Sequence, residues 1–212
     1  MTKEKELEEF INNAHRYGRE GFVPCSSGNL SARAGENIII SGTGSWLSSL
    51  RKEQVSVCKL ETGAFVNGIK PSMENGFHLG VFRNRPDVNV VLHFQSHYAT
   101  AVSCMKNVGE LDFNVTAEIP CHVGKEIPLI PYLRPGSKEL ANAVSETLKT
   151  HNACLLINHG QVVCGKSYDE VFEKASFFEM ACRIIVQSGM NYNTLSDQQI
   201  EDLEVYVLGK KI

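Results

Sequence analysis

Leu7, Phe10, Ile11, Ala14 and Tyr17 recur at helical spacing, while Lys3, Glu4, Glu8, Glu9 and Asn12 fall largely on the other side. The pattern predicts an amphipathic helix that ends near Gly18 or Gly21. Two short β-like runs, 30–33 and 37–41, flank Ala34-Gly35-Glu36 and predict a hairpin. Alternation over 54–60, a Thr62-Gly63 turn and the run 64–68 predict a second one. Glu74 opens a helix carrying Phe77, Val81 and Phe82, which Arg85-Pro86-Asp87 breaks before a strand over 88–93. Residues 96–105 read as helix, 112–132 as loops with short strands around Pro120, Pro128 and Pro131. Leu140, Ala141, Val144 and Leu148 mark the buried side of a further helix. Strands over 153–157 and 161–164 are parted by Asn158-His159-Gly160. Ser167 and Glu170 have capping-box spacing before a helix whose stripe is Val171, Phe172, Ala175, Phe178, Cys182, Ile185 and Val186. No repeat or low-complexity linker interrupts the 212 residues, so one domain over 1–212 is expected.

Composition narrows the classes. No apolar run approaches the roughly 18 residues of a membrane span, and the hydrophobic fraction of 42% is ordinary for a globular chain. The opening MTKEKELEEF is charged and lacks the apolar core of a secretory signal, so a cytoplasmic location is expected. Seven cysteines without CxxC pairing read as reduced thiols rather than a disulfide framework. A net charge of -3 and the lack of a dense Lys/Arg run argue against nucleic acid as a partner. A small phosphate remains compatible with that charge, because backbone N–H groups alone can hold it.

Three distant stretches offer metal-capable side chains at turns or strand ends: Glu74, His93 and His159. A carboxylate and two imidazoles suit zinc, whose catalytic sites keep a position open for water or substrate. Each residue also has a plain structural reading. Glu74 can simply start a helix, where the dipole favours a carboxylate, and Asn158-His159-Gly160 can be an ordinary strand connection.

The order and intervals of Ser26-Ser27-Gly28-Asn29-Leu30-Ser31-Ala32-Arg33, Ile40-Ser41-Gly42-Thr43-Gly44, Lys70-Pro71-Ser72-Met73-Glu74, Arg85-Pro86-Asp87 and Asn158-His159-Gly160 together resemble the class II aldolase/adducin family. Within it, the chain is most similar to the L-fuculose-1-phosphate aldolase branch. The resemblance implies an α/β fold, a three-layer α/β/α sandwich with a largely antiparallel central sheet, and a homotetramer with active sites at subunit interfaces. It implies a Zn2+ or other divalent cofactor held by Glu74, His93 and His159, with Glu74 also exchanging the proton. Gly28, Asn29, Thr43, Gly44 and Ser72 match the positions that bind the substrate phosphate. The implied reaction is retro-aldol cleavage of a phosphorylated ketose to dihydroxyacetone phosphate and a short aldehyde through a metal-stabilised enediolate. Pentulose-phosphate epimerases, sugar-phosphate dehydratases, decarboxylases and a non-catalytic adducin-like scaffold are the alternatives within the same superfamily.

Two departures from the family pattern stand out. Where the family has His-x-His, this chain reads His93-Phe94-Gln95, and the Gln95 carbonyl oxygen is a harder, weaker ligand than imidazole. His97 and His122 are the imidazoles that could replace it. Met73 stands where the aldolases often carry a second Ser. The aldehyde-side proton donor is a tyrosine in the family, and the sequence leaves open whether Tyr132 or Tyr206 fills that role here.

Overall fold

The period-two alternation of the strands sorts their side chains into two separate cores. The computed structural model describes residues 4–207 and Gly209. Strands β1 (Asn29–Ala34), β2 (Asn37–Ser41), β3 (Val55–Lys59), β4 (Val90–Phe94), β5 (Leu129–Ile130), β6 (Ala153–Leu156) and β7 (Gly160–Gly165) form one sheet in the order β3-β2-β1-β4-β7-β6-β5. Every pairing is antiparallel except β5 with β6. The helices are α1 (Glu4–Arg19), α2 (Asn75–Asn84), α3 (His97–Ser103), α4 (Lys138–Thr147), α5 (Tyr168–Gln187) and α6 (Asp197–Tyr206).

Leu30, Ile39, Leu92, Phe94, Leu155 and Val163 point to one face, where Phe10 and Tyr17 of α1, Val102 of α3 and Phe178 of α5 cover them. Their neighbours Ile38, Ile40, Val91, Cys154, Leu156 and Val162 point to the other, against Phe77 and Phe82 of α2 and Leu140 and Val144 of α4. Successive strand residues must face opposite ways, so helices cover both sides and the α/β/α sandwich follows. Burying each such side chain contributes about 1.5–3 kcal/mol. That leaves the strand ends free to carry polar residues.

Arg85 closes α2 and joins the two halves of the second core. Its guanidinium grips the Asp87 carboxylate at 2.8 and 2.7 Å and donates to the Leu148 carbonyl at 3.1 Å. The same grip holds the Asp87 carboxyl at about 2.

Three features differ from the expectations. The run 64–68 turns back beside β3 as a hairpin arm but pairs only briefly: one antiparallel bridge joins Cys58 to Phe65, the Lys59 N–H donates to the Ala64 carbonyl at 2.9 Å and the Val66 N–H to the Val57 carbonyl at 2.8 Å. Phe65 and Val66 are half exposed, so no core extends the pairing into a strand. Ser167 caps α5 by accepting from the Glu170 N–H at 3.2 Å, but the reciprocal bond is missing. Instead the Glu170 carboxylate accepts from the Lys166 N–H and from the buried Lys174 ammonium. The β6–β7 turn itself is tight, with Asn158 left-handed (φ 55°) and Gly160 in close approach to the Phe94 backbone. Helix α6, which weak periodicity hid, starts with a reciprocal capping box between Ser196 and Gln199. All seven cysteines are free, four of them buried. Among the described residues no helix is long and apolar enough to cross a membrane.

Candidate metal centre

Strand register builds the site. Antiparallel pairing of β1 with β4 puts Asn29 directly across from His93. Leu30 and Leu92 face the α1/α3/α5 core, so Asn29, Ser31 and His93 face α2. Residues 70–72 run beside the end of β2, with the Thr43 N–H donating to the Lys70 carbonyl and the Ser72 N–H to the Ser41 carbonyl. This docking delivers Glu74, the N-cap residue of α2, over His93. The β6–β7 turn adds His159 from the neighbouring strand pair. Gly160 makes that approach possible: a Cβ there would lie 2.5 Å from the Phe94 carbonyl oxygen and 2.8 Å from Gln95 Cγ.

The resulting geometry gathers three metal-capable side chains around a single fixed donor, the Asn29 amide. His93 Nδ1 lies 2.9 Å from the Gln161 backbone carbonyl, which can only accept, so Nδ1 carries a proton and Nε2 is the ring atom able to bind a metal. That Nε2 faces Glu74 Oε2 at 3.3 Å, and His159 Nε2 faces Glu74 Oε1 at 3.6 Å. Two ligands about 2.05 Å from a common ion at a tetrahedral angle stand about 3.3 Å apart. The donor atoms of Glu74, His93 and His159 all lie within 4.8 Å of one another. Glu74 Oε1 is buried without a hydrogen bond, as is His159 Nδ1. Acceptors this close, in a site this buried, repel unless a cation sits among them. The residues therefore fit a divalent metal.

Gln95 is half-buried in the same cleft of about 260 Å³ and makes no hydrogen bond with any described residue. Gly28, Asn29, Thr43, Gly44 and Ser72 line that cleft as well. The Ser72 hydroxyl accepts from the Glu74 N–H at 3.2 Å, which leaves its own proton for a ligand oxygen. Thr43 Oγ1 donates to the Pro71 carbonyl at 2.7 Å. The Asn29 side chain is buried and bonded to Glu74, and its backbone pairs with His93 across the sheet. Gly28 has a packing reason too, since a Cβ would meet the His93 carbonyl oxygen at 2.5 Å. The other imidazoles lie elsewhere. His97 is exposed beside a different cleft, and His122 stands 3.8 Å from Glu173. Tyr132 and Tyr206 are exposed and do not line the cleft.

The family model described as the class II aldolase and adducin N-terminal domain matches residues 8–186. The chain belongs to the class II aldolase and adducin family. It is 33% identical over 210 residues to the 3-oxo-tetronate 4-phosphate decarboxylase of Haemophilus influenzae, covering 96% of this chain and 98% of that protein. It is 37% identical over 174 residues to the L-fuculose phosphate aldolase of Methanococcus maripaludis, covering 82% and 92%. The crystal structure of YgbL from Klebsiella pneumoniae superposes with a TM-score of 0.86 at 32% identity, covering 96% and 99%.

This class II aldolase-family site contains two residues that sequence reasoning passed over. His78 and Ser31 lie behind Asn29, with His78 Nε2 2.5 Å from Asn29 Oδ1 and His78 Nδ1 2.6 Å from Ser31 Oγ. A signal for both was present. His78 is four residues after Glu74 on α2, and Ser31 is two after Asn29 on β1, so each shares a face with a candidate site residue.

Burial, with the neighbouring His93 adding to it and Glu74 opposing, pushes the His159 imidazole down to about 4. Burial also holds His78 well below the ordinary imidazole range. Both are thus neutral in the fold near neutrality. Since the unfolded chain protonates these rings near pH 6.5, it binds more protons than the folded one over pH about 4 to 6.5, and stability rises with pH across that window. The melting temperature of chelator-treated protein should climb from pH 4.5 to 6.5 and level off above. A flat profile over that range would contradict both assignments.

Proposed function

We propose that this chain is a metal-dependent lyase that decarboxylates a 4-phosphorylated 3-oxo-tetronate to CO2 and dihydroxyacetone phosphate. The observation that carries this reading is the end-to-end likeness to the Haemophilus influenzae decarboxylase, over 210 residues and 98% of that protein. The cleft chemistry agrees with it. In such a substrate the C1–C2 bond breaks, C1 leaves as CO2, and the electron pair becomes the C2–C3 enediolate. Glu74, having taken a proton from solvent water, then delivers it to C2, which becomes the hydroxymethyl carbon of the product.

A divalent cation held by Glu74, His93 and His159, with Gln95 as a further oxygen donor, supplies Lewis-acid stabilisation of the charge that develops on the substrate oxygens. Zn2+ suits two imidazoles and a carboxylate, while the Gln95 oxygen admits harder divalent ions. The backbone N–H groups of Gly28 and Gly44 with the Ser72 hydroxyl are the donors for the phosphate in this cleft, the Thr43 N–H being bonded to the Lys70 carbonyl. A carboxylate leaves without surrendering a proton, whereas aldol cleavage needs a base for the departing alcohol.

The second reading is cleavage of L-fuculose 1-phosphate, favoured by the 37% identity to the Methanococcus maripaludis aldolase. Both reactions release dihydroxyacetone phosphate, so the co-product decides. Purified protein should release CO2 from 3-oxo-tetronate 4-phosphate above the uncatalysed rate, stop with a chelator and resume with Zn2+. Aldehyde release from L-fuculose 1-phosphate with no enzymatic CO2 from the other substrate would replace the first reading by the second. Retention of every carbon in one product would favour an epimerase or dehydratase, and no turnover or metal binding a scaffold.

A further inference from the structure

We propose that His78 is a positioning residue for Glu74, acting through a buried chain Ser31–His78–Asn29 that fixes which end of the Asn29 amide meets the carboxylate. The inference rests on Glu74 being the carboxylate that holds metal and exchanges the proton. Its own test is read on protein without substrate.

An asparagine amide can face a carboxylate in two ways, one attractive and one repulsive. Here Asn29 Nδ2 donates to Glu74 Oε2 at 3.0 Å. The reverse orientation would set the amide oxygen against the carboxylate, two acceptors facing each other in a buried site. What selects between them is the partner at the other end of the amide. Asn29 Oδ1 lies 2.5 Å from His78 Nε2, and an amide oxygen only accepts, so His78 must carry its proton on Nε2. Nδ1 of the neutral ring is then an acceptor, and the Ser31 hydroxyl donates to it at 2.6 Å.

Each link thus dictates the next, and the whole chain is dry. His78 and Ser31 are fully buried and Asn29 nearly so. Burial holds the His78 ring neutral, and Phe77 stacks on it with ring centroids 4.6 Å apart. A doubly protonated ring could not accept from Ser31. The opposite neutral tautomer would face Asn29 with a lone pair and release the amide. This arrangement keeps one donor on Glu74 Oε2, the oxygen nearer His93, and leaves Oε1 unpartnered toward His159. Polar partners of metal ligands are worth about 10–100-fold in affinity or activity, which sets the scale expected for His78.

The test compares His78→Phe, His78→Gln and Ser31→Ala with the unmutated protein. Phe keeps the stacking and removes the donor; Gln retains an N–H that can reach Asn29 Oδ1. Zn2+ affinity by competition with a chromophoric chelator should fall about 10–100-fold in His78→Phe, and His78→Gln should recover most of it. Histidine 15N NMR should show His78 as the Nε2–H tautomer, with the order of that tautomer lost in Ser31→Ala together with part of the affinity. Unchanged affinity in folded His78→Phe would overturn the proposal, as would equal losses in the Phe and Gln variants, which would mark a packing role. If His78→Phe does not fold, Ser31→Ala decides: a fixed tautomer or unaltered affinity there also overturns the chain. Glu74→Gln provides the separation from the parent reading. If that variant turns over normally, the role of Glu74 fails whatever the His78 variants do.

Discussion

Replacing Glu74 by Gln should leave the fold intact and lower turnover by about 10²–10⁴-fold, the usual contribution of a positioned proton donor or acceptor. The amide has the same shape, and its oxygen can still accept from Asn29 Nδ2, which now donates to Oε2 at 3.0 Å. What it loses is the ability to hold and release a proton, and the negative charge between the two imidazole nitrogens. Metal affinity should fall as well, so kcat must be measured at saturating metal, with bound metal counted in the same samples. Turnover near the unmutated value in metal-loaded Glu74→Gln would remove Glu74 from the proton transfer. A loss cured entirely by extra metal would reduce its role to ligation.

Gly160→Ala should destabilise the fold by about 3 kcal/mol or more, because overpacking against backbone has little room to relax. For a chain of this length that is a fall of roughly 6–12 °C in melting temperature, at 2–4 °C per kcal/mol. The added Cβ would lie 2.5 Å from the Phe94 carbonyl oxygen and 2.8 Å from Gln95 Cγ. β7 pairs with β4 at Gln161 and Phe94, so relieving the clash pries apart the strands that carry His159 and His93. Metal affinity should therefore drop with stability. Gly109→Ala is the control: no atom lies within 4 Å of its Cβ position, and its effect should stay within about 0.5 kcal/mol. Equal melting temperatures for the two variants would show that the β4–β7 contact yields easily.

Much of the fold was legible from the chain alone, and the reason is that its signals are local. The hairpin over 29–41 follows from two alternating runs around Gly35, and the α5 stripe from an apolar repeat every three to four residues. Both depend only on neighbours in sequence, so pattern suffices. Residues 64–68 turn back along β3 as the pattern predicted but pair only briefly, because no surface there buries Phe65 and Val66. Helix α6 escaped because it buries only Ile200, which leaves a weak periodic signal.

The candidate site divides the same way. Glu74, His93 and His159 stood out by themselves through residue type at turns and strand ends, and residue order along the whole chain pointed to the family. Tertiary structure alone decided what each of them meets. Asn29 matched a phosphate-binding position, yet the β1–β4 register turns its side chain onto Glu74. His97 and His122 were the weaker imidazoles on paper, matching no family position, and lie outside the cluster. His78 carried no motif of its own, and its importance appears only where α2 packs over β1. A side chain's type and face are local properties of the chain. Which partner lies across the gap is set by strand register and helix docking between residues about fifty positions apart, and no local periodicity encodes that.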